Sequence, residues 1–150
     1  MLHFLPLQSD QIDETTKMME DFYAIDGYPI QTSKTKELFQ EFIANENLGK
    51  CWLIYSNNEI AGYVILTFIF SFEFQGRIAF LDELYIQPQF QGKGIGKKTV
   101  EFIQNQIANF SLKLLFLEVE KHNSKAQKLY IACGFDFHNR KLMKYLPNKH

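Results

Sequence analysis

Apolar residues recur along this chain in two rhythms, and the changes between them mark out its elements. From Gln11 to Tyr23 the sequence is polar except for Ile12, Met18, Met19 and Phe22 at roughly helical spacing, which predicts a helix. Thr35 to Ala44 carries Leu38, Phe39, Phe42 and Ile43 on one stripe and predicts a second. Asp26-Gly27-Tyr28-Pro29 between them is a turn signal. Ahead of both, His3 to Leu7 reads as a short edge strand ending near Pro6. Three strand-like runs follow, Lys50–Ser56, Ile60–Phe70 and Arg77–Ile86. Asn57-Asn58 is a hairpin-turn candidate between the first two, and a loop around Gln75-Gly76 leads into the third.

The helical period then returns. Val100, Ile103, Ile107 and Phe110 fall at spacings of three, four and three within Gly94–Phe110, one face of a helix. Lys113–Val119 is a continuous apolar strand. Ser124–Cys133 is a short helix, with Ser124 and Gln127 at capping-box spacing and Gly134 as its stop. Phe135–Tyr145 reads as a last strand or strand pair. The unit from Arg77 to Val119 is strand, helix, strand, so those two strands should be parallel neighbours. The expectation is one domain over residues 1–150, of the mixed α+β class. Its sheet has six to seven mostly antiparallel strands, with helices on both faces.

Composition narrows the field. A chain of 150 residues suits one domain, and 46% apolar residues supply a core. A net charge of −1 argues against a general nucleic-acid or membrane-surface binder. Cys51 and Cys133 make no disulfide framework and fit reduced thiols in a cytoplasmic protein. Residues 1–10 show no signal peptide, and the apolar run at Ile60–Phe70 is too short to span a bilayer. The histidines His3, His122, His138 and His150 show no paired ligand spacing, so no metal site is expected. Neither cysteine has a histidine partner at a recognised spacing for nucleophilic catalysis. Trp52 reads as core.

The sharpest local signal is Gln91-Gly92-Lys93-Gly94-Ile95-Gly96, set between a strand and a helix. Its glycines let backbone N–H groups approach a ligand at the positive end of the helix dipole, a cradle for a diphosphate. Lys93, Lys97 and Lys98 add charge. A nucleotide-triphosphate loop would need glycine where Gln91 stands and a hydroxyl where Lys98 stands, so that reading fails twice. A dinucleotide fingerprint would need a third glycine where Lys97 or Thr99 stands. An ordinary tight turn with exposed lysines is the plain alternative.

The pattern that fits is Q/R-x-x-G-x-G/A, and with it the sequence resembles the GNAT acetyltransferases. Phe80 to Pro88 looks like that family's preceding strand and proline, and Asn123, Ala126, Tyr130 and Gly134-Phe135 match its later N-x-x-A-x-x-x-Y-x-x-x-G-F block. The likeness covers residues 80 to 135; the N-terminal half matches only in the order of elements. It implies a central pair of strands that splay apart, here Arg77–Ile86 and Lys113–Val119, with acetyl-CoA in the V as cosubstrate. Backbone at Leu84, Tyr85 and Ile86 would hold the pantetheine arm, and one N–H there would face the thioester oxygen. Gln91 through Gly96 and Lys97 would hold the diphosphate. Asn123 would bond the cofactor arm, or serve only as a helix N-cap.

The implied reaction is attack of an amine on a thioester. A free alkylamine has a pKa of about 10.4, so a base must remove its proton near neutrality. Asp82 and Glu83 are the candidate carboxylates, with Glu118 a third. Adjacent on a strand, Asp82 and Glu83 should face opposite sides of the sheet. Glu83 is favoured as base or water-holder and Asp82 is the alternative. Tyr130 resembles the family's general acid at the departing sulfur. With a tyrosine pKa near 10 and a thiol near 8.5, full transfer is uphill by about 2 kcal/mol, so a hydrogen bond to developing charge comes first. Phe22 to Tyr28 would line the acceptor pocket, with Asp26 holding a cationic amine, or be a packed inter-helix turn. Leu81-Asp82-Glu83-Leu84 looks like the polyamine acetyltransferase branch, and Glu20-Asp21 adds acidity, so a small polyamine-like amine is the first expectation. A protein or peptide amine and a non-catalytic CoA-binding module are the alternatives. Such domains often pair, so the resemblance also implies a homodimer.

Overall fold

The apolar run at Ile60–Phe70 becomes the strand on which the sheet is assembled. In the computed structural model, which describes residues 1–148, the order is β1 (Leu2–Pro6), α1 (Ile12–Ile25), α2 (Thr32–Ala44), β2 (Gly49–Ser56), β3 (Glu59–Ser71), β4 (Gly76–Ile86), α3 (Ile95–Asn109), β5 (Leu115–Leu117) and α4 (Ser124–Ala132). The five strands lie side by side in chain order. The first four pair antiparallel, and β4 pairs β5 in parallel, as the strand-helix-strand unit requires. The β2–β3 hairpin turns at Asn57 and Asn58, whose φ values of 50° and 71° are the left-handed pair that a tight two-residue turn demands. Asparagine tolerates that region better than other side-chain-bearing residues.

Helices cover both faces. Leu53, Tyr63, Ile65 and Tyr85 meet Ile12, Met18 and Met19 of α1 and Phe39 of α2 on one side. Trp52, Ile54, Val64, Leu66 and Leu81 meet Ile95 and Ile103 of α3 on the other. The stripe on α3 is as expected: Val100 and Ile103 are fully buried, with Ile107 and Phe110 packed beside that core. Each such buried aliphatic side chain contributes about 1.5–3 kcal/mol. On α2, Leu38 lies on the apolar stripe yet stays half exposed.

Two expectations need correction. The sheet has five strands among the described residues, because Phe135–Tyr145 forms no strand. Beyond Gly134 the chain lays down no ladder, and Phe137, Leu142, Met143 and Tyr145 stay largely exposed, so the alternation there has no sheet face to bury against. β5 is also shorter than Lys113–Val119: its ladder with β4 covers only Ala79–Leu81 against Leu115–Leu117. His150 lies outside the described residues.

Gly62 allows the tightest approach of β3 to β4. A Cβ there would lie 1.9 Å from the Tyr85 carbonyl oxygen, so the strands would have to separate. Gly62→Ala is therefore expected to destabilise the fold by about 1–3 kcal/mol, as overpacking does. Urea unfolding measures this, and an unshifted midpoint would contradict it.

Candidate active site

A one-residue slip in pairing builds the acidic part of the site. Ile65 pairs with Glu83, but the next residue, Leu66, pairs with Leu81, which leaves Asp82 with no opposite partner. This bulge resets the alternation of β4. Leu81 enters the core under α3, and Glu83 two positions later enters the face under α1 and α2. The expectation that Asp82 and Glu83 point to opposite sides is thereby overturned. Both line one cavity of about 490 Å³, together with Met19 and Tyr23 of α1, Leu38 and Phe39 of α2, and Ile65.

Glu83 is held at both oxygens. The Tyr23 hydroxyl donates to Oε2 at 2.6 Å, and the Tyr63 hydroxyl donates to Oε1 at 2.8 Å. Burial pushes the Glu83 carboxyl above its usual range; the two phenol bonds pull the other way without cancelling that, and Asp82 adds to the rise. The same burial, with the Glu83 charge beside them, raises both phenols, so Tyr23 and Tyr63 stay protonated donors. Asp82 is also raised, by burial first and then by Glu118. Tyr63 escaped the sequence reading because a tyrosine inside an apolar run looks like core. The available signal was that a tyrosine hydroxyl inside a buried strand needs an acceptor, which here is Glu83.

The second cavity is lined by the β4 residues that follow those of the first. The β4–β5 ladder stops at Leu81 and Leu117, and β4 runs on to Ile86 with β3 on one side and no strand on the other. A cleft of about 410 Å³ opens there. Leu84, Tyr85 and Ile86 line it from β4, Gln91, Gly92, Gly94, Ile95, Gly96 and Lys97 from the turn, and Asn123 and Tyr130 from the α4 side. Of the residues expected at a cofactor, Lys93 alone does not line the cleft; its ammonium lies 5.6 Å from the centroid of the Phe90 ring. Lys125 does line it and was missed, since one lysine in a short helix carries no signal.

The turn has the shape of an anion cradle. Gly92 and Gly94 have φ of 78° and 77°, and a Cβ on either would meet nothing within 4 Å, so the backbone faces open space. The Lys98 N–H closes on the Gly94 carbonyl at 3.2 Å, leaving the N–H groups of Ile95, Gly96 and Lys97 without intrahelical acceptors. These features fit a diphosphate. The Gln91 side chain instead braces the turn, donating from Nε2 to the Ile86 carbonyl at 2.9 Å.

Asn123 caps α4, accepting the Ala126 N–H at 3.1 Å, so the expected cap at Ser124 shifts by one residue. Gln127 turns back to donate to the Glu120 and Lys121 carbonyls. Tyr130 packs edge-on against Phe135, and its phenol is raised by burial and then by Cys133. The segment after α1 divides its work. Tyr23 lines the acidic cavity, Phe22 and Ile25 line the cleft, and Asp26 lines neither. Asp26 faces His122 at 3.5 Å, and the Tyr28 hydroxyl donates to Glu120, tying this turn to the loop before α4. Glu20 and Asp21 are paired with Lys17, away from the cavity. Glu118 lines neither cavity and acts on the site through Asp82. Cys51 is buried, and its thiol is pushed up to about 12, which leaves it unreactive. Among the described residues no cluster of His, Cys, Asp or Glu is placed to hold a metal, and no helix is long and apolar enough to cross a membrane.

Comparison with known proteins agrees with this geometry. The chain is 31% identical over 128 residues to a thialysine N-epsilon-acetyltransferase of Sus scrofa, covering 83% of this chain and 69% of that one. It is 35% identical over 63 residues to a spermine/spermidine N(1)-acetyltransferase of Bacillus subtilis, 41% of each chain. A Clostridium acetobutylicum predicted acetyltransferase, in a structure with acetyl-CoA, shares the fold at a TM-score of 0.81 and 18% identity, over 100% of this chain and 99% of that one. The family model described as Acetyltransferase (GNAT) family matches residues 15–135. The chain therefore belongs to the GNAT acetyltransferase family, whose acyl donor is acetyl-CoA.

Proposed function

We propose that this protein transfers the acetyl group of acetyl-CoA to the primary amine of a small molecule, by direct attack in a ternary complex, and that it works in the cytoplasm. The observation that carries the reading is that two cavities are lined by successive residues of β4. Asp82 and Glu83 border one, and Leu84–Ile86 with the glycine turn and Tyr130 border the other. Acetyl-CoA supplies an activated thioester. The turn Gln91–Gly96 and Lys97 hold its diphosphate, and the free edge of β4 holds its arm. Asn123 and Lys125 line the same cleft.

Glu83 takes the ammonium proton, directly or through water. Its raised pKa makes it a stronger base than an exposed carboxylate, and the two tyrosines fix its orientation. Asp82 is the alternative base. Tyr130 meets the departing sulfur. Since burial raises its pKa further, it acts first by hydrogen-bonding the developing charge. The matched relatives act on thialysine and on spermine or spermidine, as their names state, which supports a small amine acceptor.

The test is thiol release from acetyl-CoA with a panel of amines, beside thermal melts. Acetyl-CoA at 100 times its Kd should stabilise the fold by about 2.7 kcal/mol, and ATP should not. No stabilisation by acetyl-CoA would end the reading. Tyr130→Phe should lower turnover at least about tenfold with little change in acetyl-CoA affinity; unchanged steady-state turnover would remove Tyr130 from the mechanism.

The pH dependence follows from Glu83. Activity should fall as pH drops through its raised pKa, so the acid limb of kcat/KM should lie above the 4.5 of an ordinary glutamate. Glu83→Gln should cost about a hundredfold or more and erase that limb. Stability runs oppositely. Folded Glu83 holds its proton more tightly than the unfolded chain does, so its contribution declines as pH rises from 4.5 through the folded value. Urea titrations of the parent and Glu83→Gln proteins across this window measure that slope.

A further inference from the structure

We infer that the acceptor is a monoamine with a hydrocarbon body, alkyl or arylalkyl, and not a polyamine; this rests on the acetyl-transfer reading above. The cavity beneath α1 and α2 is acidic at one end only. Asp82 and Glu83 are its only carboxylates, and both sit on the β4 floor. The rest of the lining from α2 and the segment before it is Ile30, Leu38, Phe39 and Phe42, with Gln31, Lys34 and Thr35 as its polar groups. One ammonium thus finds a counter-charge, and whatever extends from it meets hydrocarbon.

A polyamine carries its second cation a few bonds from the first. Along the apolar wall that charge would find no carboxylate among the lining residues, and would approach Lys34, whose own partner is Glu37. The other acids nearby do not offer a second seat. Glu20 and Asp21 pair with Lys17, Asp13 with Lys36, Glu37 with the cavity-lining Lys34, Asp26 with His122, and Glu120 takes the Tyr28 hydroxyl. Glu118 raises the Asp82 pKa and so adds to the same acidic end. An acidic pair in the sequence therefore signals one cation, because the bulge turns both carboxylates onto one spot.

Leu38 is a second, independent sign. It lies on the apolar stripe of α2, lines the cavity, and is nevertheless 50% exposed. An apolar body seated on Glu83 would cover it, and about 490 Å³ accommodates a substituted phenyl or a medium alkyl chain.

The experiment measures kcat/KM at saturating acetyl-CoA for propylamine, pentylamine, phenethylamine, putrescine and spermidine. The expected result is a rise of about fourfold per added buried methylene in the alkyl series. Phenethylamine should exceed spermidine at least about tenfold. Lys34→Glu, which adds a carboxylate to the α2 side of the lining, should shift the spermidine-to-phenethylamine ratio at least about tenfold toward spermidine. Spermidine equal to or above phenethylamine in the parent protein, or a ratio unmoved by Lys34→Glu, overturns this proposal and leaves acetyl transfer to amines standing. No thiol release with any amine, while acetyl-CoA still stabilises the protein, overturns the acetyl-transfer reading and this proposal together.

Discussion

The site depends on one slipped residue in the β3–β4 ladder. Without the bulge at Asp82, strict alternation would place Glu83 on the same face as Leu81, inside the hydrophobic layer under α3. A carboxylate there would find no donors. With the bulge, Glu83 reaches the opposite face, where Tyr23 from α1 and Tyr63 from β3 both donate to it. The cost of burying a carboxyl is thus met partly by hydrogen bonds and partly by a raised pKa, which a general base can use. The irregularity is local, since the strand is regularly paired again by Leu84, opposite Val64.

The same strand serves two ligands by changing neighbours. Up to Leu81, β4 is flanked on both sides and behaves as sheet interior. Past that point it keeps β3 but loses β5, and its backbone faces a cleft. The change comes within a residue of the bulge, so carboxylates and free strand edge lie within a few residues of each other. Gly62, which lets β3 approach the far end of β4, and Gln91, which braces the glycine turn against Ile86, keep that length of chain in place.

Much of this was legible in the sequence. The helices were readable because their stripes repeat over three or four turns, and the Asn57-Asn58 hairpin because few side chains accept its dihedral angles. The cofactor cleft was readable from residue types at fixed spacing, glycines above all. The relative facing of Asp82 and Glu83 was not, because a bulge leaves no trace in an alternating pattern until the partner strand is known. The C-terminal segment misled for the opposite reason. Its apolar residues resemble a strand, but a pattern alone does not make one: among the described residues beyond Phe135 no ladder forms, although β5 ends the sheet with a free edge. Tyr63 and Leu38 each hid behind an expectation of core.

The short β5 ladder has a thermodynamic consequence. Only three residue pairs join β5 to the rest of the sheet, so a bound linear arm along the β4 edge would do the work of a missing strand. Amide hydrogens from Asp82 to Ile86 that face the cleft depend on solvent in the free protein, whereas those facing β3 are already laddered. Occupancy would then slow deuterium uptake on alternate amides of one strand, a comb-like signature of a small molecule completing a sheet.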